Sequence, residues 1–298
     1  MPPTLLLTCH GTVESTDDLP AFLSNIRRGR PTPPHLIEEV RRRFDAIGGS
    51  PLMRTTRAQA DALAARLSLP VAVAARLWHP YPKDVLADLA RSGVRTVLSL
   101  PLAPQSVHVY HAAVREAAAP LGIEVIEAPA WGNEPRLIDA FVESIEEALS
   151  HLPEPARRTA PIVLTAHSLP QRIIDSGDPY ERDFRAMAAL VESRLRPQGN
   201  PVHIAFQSQG ATSDVWLGPD LPTTFRALSE SGAGAVCIAP IGFVADHVET
   251  LYDLDIEARA LAESQGLTFT RATAMNLRPA FIDALVSVAQ ASLPQDAV

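Results

Sequence analysis

The stretch Leu5-Leu-Leu-Thr-Cys-His-Gly-Thr12 has a counterpart far along the chain, Ile162-Val-Leu-Thr-Ala-His-Ser-Leu169. Both are short apolar runs that end on a threonine and then, two residues later, a histidine. The likeness continues in the same order. Leu89-Ala-Arg-Ser-Gly93, followed by Val97 and Pro101, matches Leu228-Ser-Glu-Ser-Gly232, followed by Val236 and Pro240. Pro135-Arg-Leu-Ile-Asp-Ala140 matches Pro279-Ala-Phe-Ile-Asp-Ala284. Three matches in one order argue for a duplicated chain. The expected halves are 1–152 and 158–298, joined near Leu152-Pro-Glu-Pro-Ala-Arg-Arg158.

Each half alternates strand and helix. Leu5–Cys9, Val71–Ala75, Thr96–Leu100 and Ile123–Ala128 are brief apolar runs rich in β-branched residues. Ile162–Thr165, Val202–Phe206, Ala235–Ala239 and Leu267–Arg271 are their counterparts. Continuous apolar runs of this length fit strands covered on both faces of a parallel sheet. Helical patterns lie between them, over Pro34–Ile47, Thr56–Ser68, Pro82–Ser92, Val107–Leu121, Asp178–Leu195, Leu221–Ser231 and His247–Gln265. The expectation is α/β: two homologous, Rossmann-like, doubly wound halves, each on a four-stranded parallel sheet. Ligands in such folds bind beyond the C-terminal strand ends. His10, His167 and the segments after Pro101 and Pro240 belong there, aimed into one cleft between the halves.

Composition narrows the function. The chain has 298 residues, 46% of them apolar and 20% charged, enough to bury a core. Its net charge of -8 argues against nucleic acid as a partner. The longest apolar run, Ala235–Ala245, is broken by Pro240 and Gly242, so no integral membrane segment is expected. The opening Met1–Thr12 lacks the basic stretch and apolar length of a secretory signal, and a cytoplasmic protein is expected. Two cysteines, Cys9 and Cys237, are too few for a disulfide framework or a four-cysteine zinc site. The 27 prolines suggest many stiffened loops.

Several residues are candidates for chemistry. His167 directly follows a strand, where an imidazole can act as a base or bind a metal near neutral pH; the plainer alternative is a hydrogen-bonding histidine at a strand end. Glu249, Asp253 and Glu257 recur every fourth residue, and on an α-helix they form a ladder about 12 Å long. Like charges at that spacing repel mildly, which favours use as a path for protons or divalent cations. Two plainer alternatives stand beside it: a solvated acidic face, and a capping box formed by Asp246 and Glu249. Arg27, Arg28 and Arg30 flank the turn glycine Gly29 and suit carboxylate or phosphate recognition; a solvated basic loop is the alternative. Trp216-Leu-Gly-Pro-Asp220 reads as a rigid turn with an aromatic wall, or as a buried structural tryptophan. Nucleotide-binding, P-loop, HExxH, CxxC and GxSxG patterns are absent.

Read together, Ile47-Gly-Gly-Ser-Pro-Leu52, Leu164-Thr-Ala-His-Ser-Leu-Pro170, Ala205-Phe-Gln-Ser208, Trp216-Leu-Gly-Pro-Asp-Leu221 and Pro240-Ile-Gly-Phe-Val-Ala-Asp-His-Val-Glu-Thr-Leu-Tyr-Asp253 resemble the ferrochelatases over nearly the whole chain. The resemblance implies a lyase of haem biosynthesis that inserts ferrous iron into a porphyrin, coproporphyrin III or protoporphyrin IX, held in a cleft between the halves. It implies that His167 and Glu249 are the active-site pair. Asp253 and Glu257 would extend the metal-binding line, and Arg27, Arg43, Ser50, Tyr110, Trp216 and His10 would face the porphyrin. Ferrous iron is then a substrate, no cofactor is permanently bound, and two cysteines cannot hold an iron–sulfur cluster. Transient contact with a membrane or with another haem-pathway enzyme stays open.

Where the short bacterial ferrochelatases carry a tyrosine before Gly-Thr, this chain carries His10. That turn is similar to the one in the small cobalt and sirohydrochlorin chelatases, which is the alternative within the class. A haem- or porphyrin-binding protein without catalysis is the alternative outside it; the intact His167–Glu249 pair argues against it. Metallation must remove two pyrrole protons and deliver a divalent ion to ring nitrogens. A histidine beside a carboxylate can take those protons or position the ion.

Overall fold

The computed structural model describes residues 3–196, 199–210 and 212–293. In chain order the first elements are β1 (Thr4–Cys9), α1 (Leu19–Ile26), α2 (Pro34–Ala46), α3 (Leu52–Leu67), β2 (Val71–Ala75), α4 (Pro82–Arg91), β3 (Thr96–Pro101), α5 (Val107–Ala118) and β4 (Glu124–Glu127). There follow α6 (Pro135–Ser150), α7 (Glu154–Thr159), β5 (Ile162–His167), α8 (Gln171–Asp175), α9 (Tyr180–Leu195), β6 (Val202–Gln207), α10 (Leu221–Glu230), β7 (Ala235–Ala239), α11 (Val248–Leu251), α12 (Arg259–Ser264), β8 (Thr268–Arg271) and α13 (Pro279–Ser292).

All strands pair in parallel, in the orders β2-β1-β3-β4 and β6-β5-β7-β8. The order reverses direction beside β1 and beside β5, so each sheet has a switch point at the C-terminal end of its central pair. Strands run where the apolar stretches predict them because both sheet faces are covered: β1 and β7 are buried along their whole length.

Some of the prolines open helices instead of sitting in loops. α1, α2, α4, α6, α10 and α13 each carry one in the first turn. There the missing N–H costs no helical bond and the fixed φ already suits the helix.

The chain packs as two compact units. One runs through Trp131 and is completed by the segment beginning at Asn276; the other is Gly132–Met275. In the first, Leu6, Ala74, Val97 and Val114 form a core under α4 and α5. α13 closes its other face against α3 and β3. Gln59 Nε2 donates to Asn276 O at 2.7 Å, and the buried Phe281 ring lies 6.2 Å from Trp131. In the second unit Phe225, Ile238, Leu254 and Phe269 form the core beneath α10 and the helix after β7. Here α6 covers the opposite face beside α9, and Ser144 Oγ donates to Thr273 O at 2.8 Å. The packing units therefore do not follow the two sequence halves: each half's final helix, α6 or α13, belongs to the other unit. Both are amphipathic helices whose buried stripe needs a sheet face. The duplication alone does not say which sheet supplies it.

Candidate active site

His167 is the last residue of β5, and the loop leaving β7 comes to it at the switch point. Gly242 N–H donates to Thr165 O at 2.9 Å. A Cβ on Gly242 would sit 2.5 Å from the Ala166 Cβ, so only glycine lets the loop cross so closely. The loop then delivers His247 as the N-cap of α11. His247 N–H donates to Thr250 Oγ1 at 3.0 Å, and Thr250 Oγ1 donates to Asp246 Oδ1 at 2.9 Å. The cap is thus built from His247 and Thr250, not from Asp246 and Glu249 as the spacing suggests. Glu249 is left for another partner.

That partner is His167. Its Nδ1 lies 3.0 Å from Glu249 Oε2, and His247 Nε2 lies 3.7 Å from the same oxygen. The side chains of His167 and Glu249 are 32% and 31% exposed, so the pair is held yet open to a substrate. The support behind it is buried. Gln207 Nε2 donates to Glu249 O at 2.8 Å, Thr165 Oγ1 donates to Gln207 Oε1 at 2.7 Å, and Tyr180 Oη donates to His167 O at 2.9 Å. Glu249 engages the Nδ1 side of His167, which leaves Nε2 as the nitrogen for chemistry.

The electrostatics follow from this packing. Burial opposes a charged His167, but the charge and hydrogen bond of Glu249, with the charge of Asp253, more than offset it, and its pKa is raised above the ordinary imidazole value. Burial likewise works against a charged His247, and Glu249 reverses it. For Glu249 burial pushes upward, yet His167 and then His247 hold the carboxyl well below its usual range. The site is a carboxylate shared by two imidazoles.

The acidic ladder departs from the α-helix its spacing suggests. Between α11 and α12 the backbone widens into a π turn over Asp253–Ala258, with Glu257 N–H donating to Tyr252 O. In an α-helix each four-residue step overshoots a full circle by about 40°, so eight residues drift about 80°. A turn closed by i→i+5 bonds holds more than four residues and undershoots, which counters the drift. Asp253 accepts a short hydrogen bond from Ser208 Oγ, and Glu257 is exposed. Among the described residues no three or more His, Cys, Asp or Glu side chains gather as a metal cage. His167, Glu249, Asp253 and Glu257 are thus not one coordination sphere.

Sequence reading missed Arg271, because a lone arginine ending a strand has no local pattern. Its side chain is 8% exposed. Nε and Nη2 each lie 2.7 Å from an oxygen of Asp255, and Nη1 lies 3.2 Å from Asp246 Oδ1. Burial disfavours its charge, and the two carboxylates outweigh that and hold it protonated.

The other candidates divide between the units. Trp216 belongs to the second, in a turn with a cis Gly218–Pro219 bond; a Cβ on Gly210 would lie 2.9 Å from its ring. The first unit holds His10, Arg27, Arg43, Ser50 and Tyr110. His10 is exposed, and its Nδ1 lies 3.1 Å from Gly11 O. Arg27 Nε is buried with no hydrogen-bond partner among the described residues. Arg43 pairs with Glu39 at 2.8 Å on α2. Ser50 Oγ lies 3.5 Å from Leu52 N at the start of α3. Tyr110 is 8% exposed, with the Arg76 guanidinium 5.6 Å from its ring centre. The thiols of Cys9 and Cys237 are buried, which pushes them up to about 11 and about 12.

Residues 3–293 match the ferrochelatase family. The chain belongs to the ferrochelatase family. As a ferrochelatase it is a lyase of haem biosynthesis that inserts iron into a porphyrin. It is 35% identical over 308 residues to the ferrochelatase of Acidobacterium capsulatum, covering 97% of this chain and 94% of that one. It is 33% identical to the coproporphyrin III ferrochelatase of Oceanobacillus iheyensis, covering 95% of each. Among solved structures, SirB from Bacillus subtilis with Fe3+ superposes with a TM-score of 0.63 at 14% identity, covering 99% of this chain and 97% of that one. That likeness places this ferrochelatase in the chelatase fold. No helix among the described residues is long and apolar enough to cross a membrane.

Proposed function

We propose that this ferrochelatase metallates coproporphyrin III in the cytoplasm, with His167 and Glu249 as its reacting couple. The observation that carries the site assignment is the 3.0 Å contact from His167 Nδ1 to Glu249 Oε2, with His247 on the same oxygen. Glu249 fixes the imidazole through Nδ1, so Nε2 is the atom that takes a pyrrole proton or meets the incoming ferrous ion. Asp253 and Glu257 then line the approach of the ion, or the exit of the protons, along the widened helix.

Coproporphyrin carries propionates where protoporphyrin carries vinyl groups, so its recognition calls for more cationic donors. The buried Arg27 Nε, without a hydrogen-bond partner among the described residues, and the exposed Arg28 and Arg30 around Gly29 support such a subsite. Arg43, Ser50, Tyr110 and His10 are further candidates for the porphyrin in the first unit, and Trp216 is one in the second. The coproporphyrin III names of several relatives support the same substrate. Anaerobic metallation with ferrous iron, offered coproporphyrin III, protoporphyrin IX and sirohydrochlorin in parallel, tests this. Coproporphyrin III should turn over fastest; a preference for protoporphyrin IX removes the substrate assignment, and a preference for sirohydrochlorin moves the enzyme to the other chelatase class.

A further inference from the structure

We propose that Arg271 is a positioning residue for metallation: by clamping Asp246 and Asp255 together it holds the π turn that follows Glu249. The inference rests on the His167–Glu249 site described above.

The clamp and the turn are linked by geometry. Thr250 Oγ1 bonds Asp246 Oδ1 at 2.9 Å, Asp246 bonds Arg271 at 3.2 Å, and Arg271 grips both oxygens of Asp255 at 2.7 Å. Through this chain the side chains of Thr250 and Asp255 are tied to one guanidinium. They are five residues apart. On a regular α-helix five residues turn through 500°, leaving the two about 140° apart on different faces. The i→i+5 bonds begin just after Thr250 and enclose Asp255: Glu257 N–H donates to Tyr252 O at 3.0 Å, and Arg259 N–H donates to Leu254 O.

π turns are rare because regular α-helical bonding competes with them. A segment kept in that form needs an interaction that the α form would break. Arg271 supplies one from a buried guanidinium, with its fork matched to a carboxylate on one side and to a second carboxylate on the other. Ala272 O takes a further bond from Nη1 at 3.2 Å, which fixes the guanidinium to the strand end. Arg259 Nε donates to Asp255 O at 3.1 Å and secures the far side of the turn. Glu249 and Asp253 lie on the same stretch of chain and are directed at His167 and Ser208. Relaxation to an α-helix would rotate Asp253 relative to Glu249. The clamp therefore acts on the metal-handling carboxylates without touching substrate.

Arg271→Lys is the informative variant. It keeps the buried charge that Asp246 and Asp255 require, but an ammonium cannot span both as the planar fork does. Asp255→Asn keeps the shape and removes the charge. Both should fold, as judged by near-UV circular dichroism, and bind porphyrin within about twofold of wild type, while the KM for ferrous iron rises about 10-fold or more, as for other residues that orient metal-handling groups. Arg271→Lys should retain more activity than Arg271→Gln. Wild-type KM for iron in folded Arg271→Lys and Asp255→Asn overturns the proposal, as does an equal loss of porphyrin affinity. His167→Ala is assayed beside them: if it turns over normally the site reading itself fails, whereas if it is inactive and the clamp variants behave as wild type, only the role of Arg271 fails.

Discussion

His167 and Glu249 show how one hydrogen bond sets the chemistry of a site. The carboxylate engages Nδ1, which orients the ring and raises the imidazole's pKa. Where the neutral imidazole must accept a proton, turnover rises with pH through that raised pKa. Glu249→Gln removes the charge that raises it, so the acid limb of the pH–rate profile should move to lower pH while the maximal rate falls; an unmoved limb would separate Glu249 from the titrating group. His167→Ala should lower turnover by about 10²–10⁴-fold. Porphyrin affinity in that variant, read by fluorescence quenching, should persist, because the ring's affinity comes mainly from apolar walls and propionate contacts. If Arg27 holds a propionate, Arg27→Ala should raise the porphyrin KM more than it lowers kcat. Equal kcat and KM to wild type would return that loop to a solvated surface. The residue types of this site were readable in the chain, since a histidine at a strand end and a carboxylate on the following segment announce themselves. Their partners were not. The spacing of Asp246 and Glu249 pointed to a capping box, and the structure instead spends Asp246 on Thr250 and Arg271.

Strands and helices carry the next level of consequence. β3 and α5 are pinned by a buried histidine that takes no part in the site: His111 Nδ1 lies 2.9 Å from Ser99 Oγ, and Nε2 lies 2.9 Å from Ala128 O. The carbonyl can only accept, so Nε2 carries the proton and Nδ1 accepts from the serine hydroxyl. Burial, the largest influence, lowers this imidazole's pKa below the ordinary 6.5. An unfolded chain binds the proton more readily, so His111 contributes stability above pH 6.5 and loses it as pH falls through the lowered folded value. Melting temperatures taken from pH 7.5 downward should show a decline below that point, and His111→Gln should flatten it. An identical slope in both proteins would remove His111 as the cause. The π turn belongs at this level too. Period counting assumes 3.6 residues per turn, so a wider turn set by contacts with a distant strand leaves no mark in the pattern.

For the molecule as a whole, the exchange of α6 and α13 between the packing units has a testable cost. Phe281 is fully buried beside Trp131 in the first unit, although it lies near the end of the chain. Phe281→Ala should destabilise the protein by about 3–5 kcal/mol. Hydrogen exchange should then show lost protection first in β1 and β3, while β5 and β7 keep theirs. The opposite order would mean that α13 chiefly supports the sheet of its own sequence half.

The alternation of apolar runs and helical patterns was enough to place eight strands, their parallel pairing in two duplicated sheets, a histidine at the C-terminal end of one strand and a glutamate on the segment that follows another. Those features depend on local hydrophobic periodicity and on the rule that ligands gather at switch points, both written in neighbouring residues. Which sheet each final helix covers, which residue caps α11, why the helix after Glu249 widens, and how Arg271 enters the account all arise from side chains far apart in sequence. Buried charges and apolar faces must find partners wherever packing brings them together, and that choice is made in three dimensions.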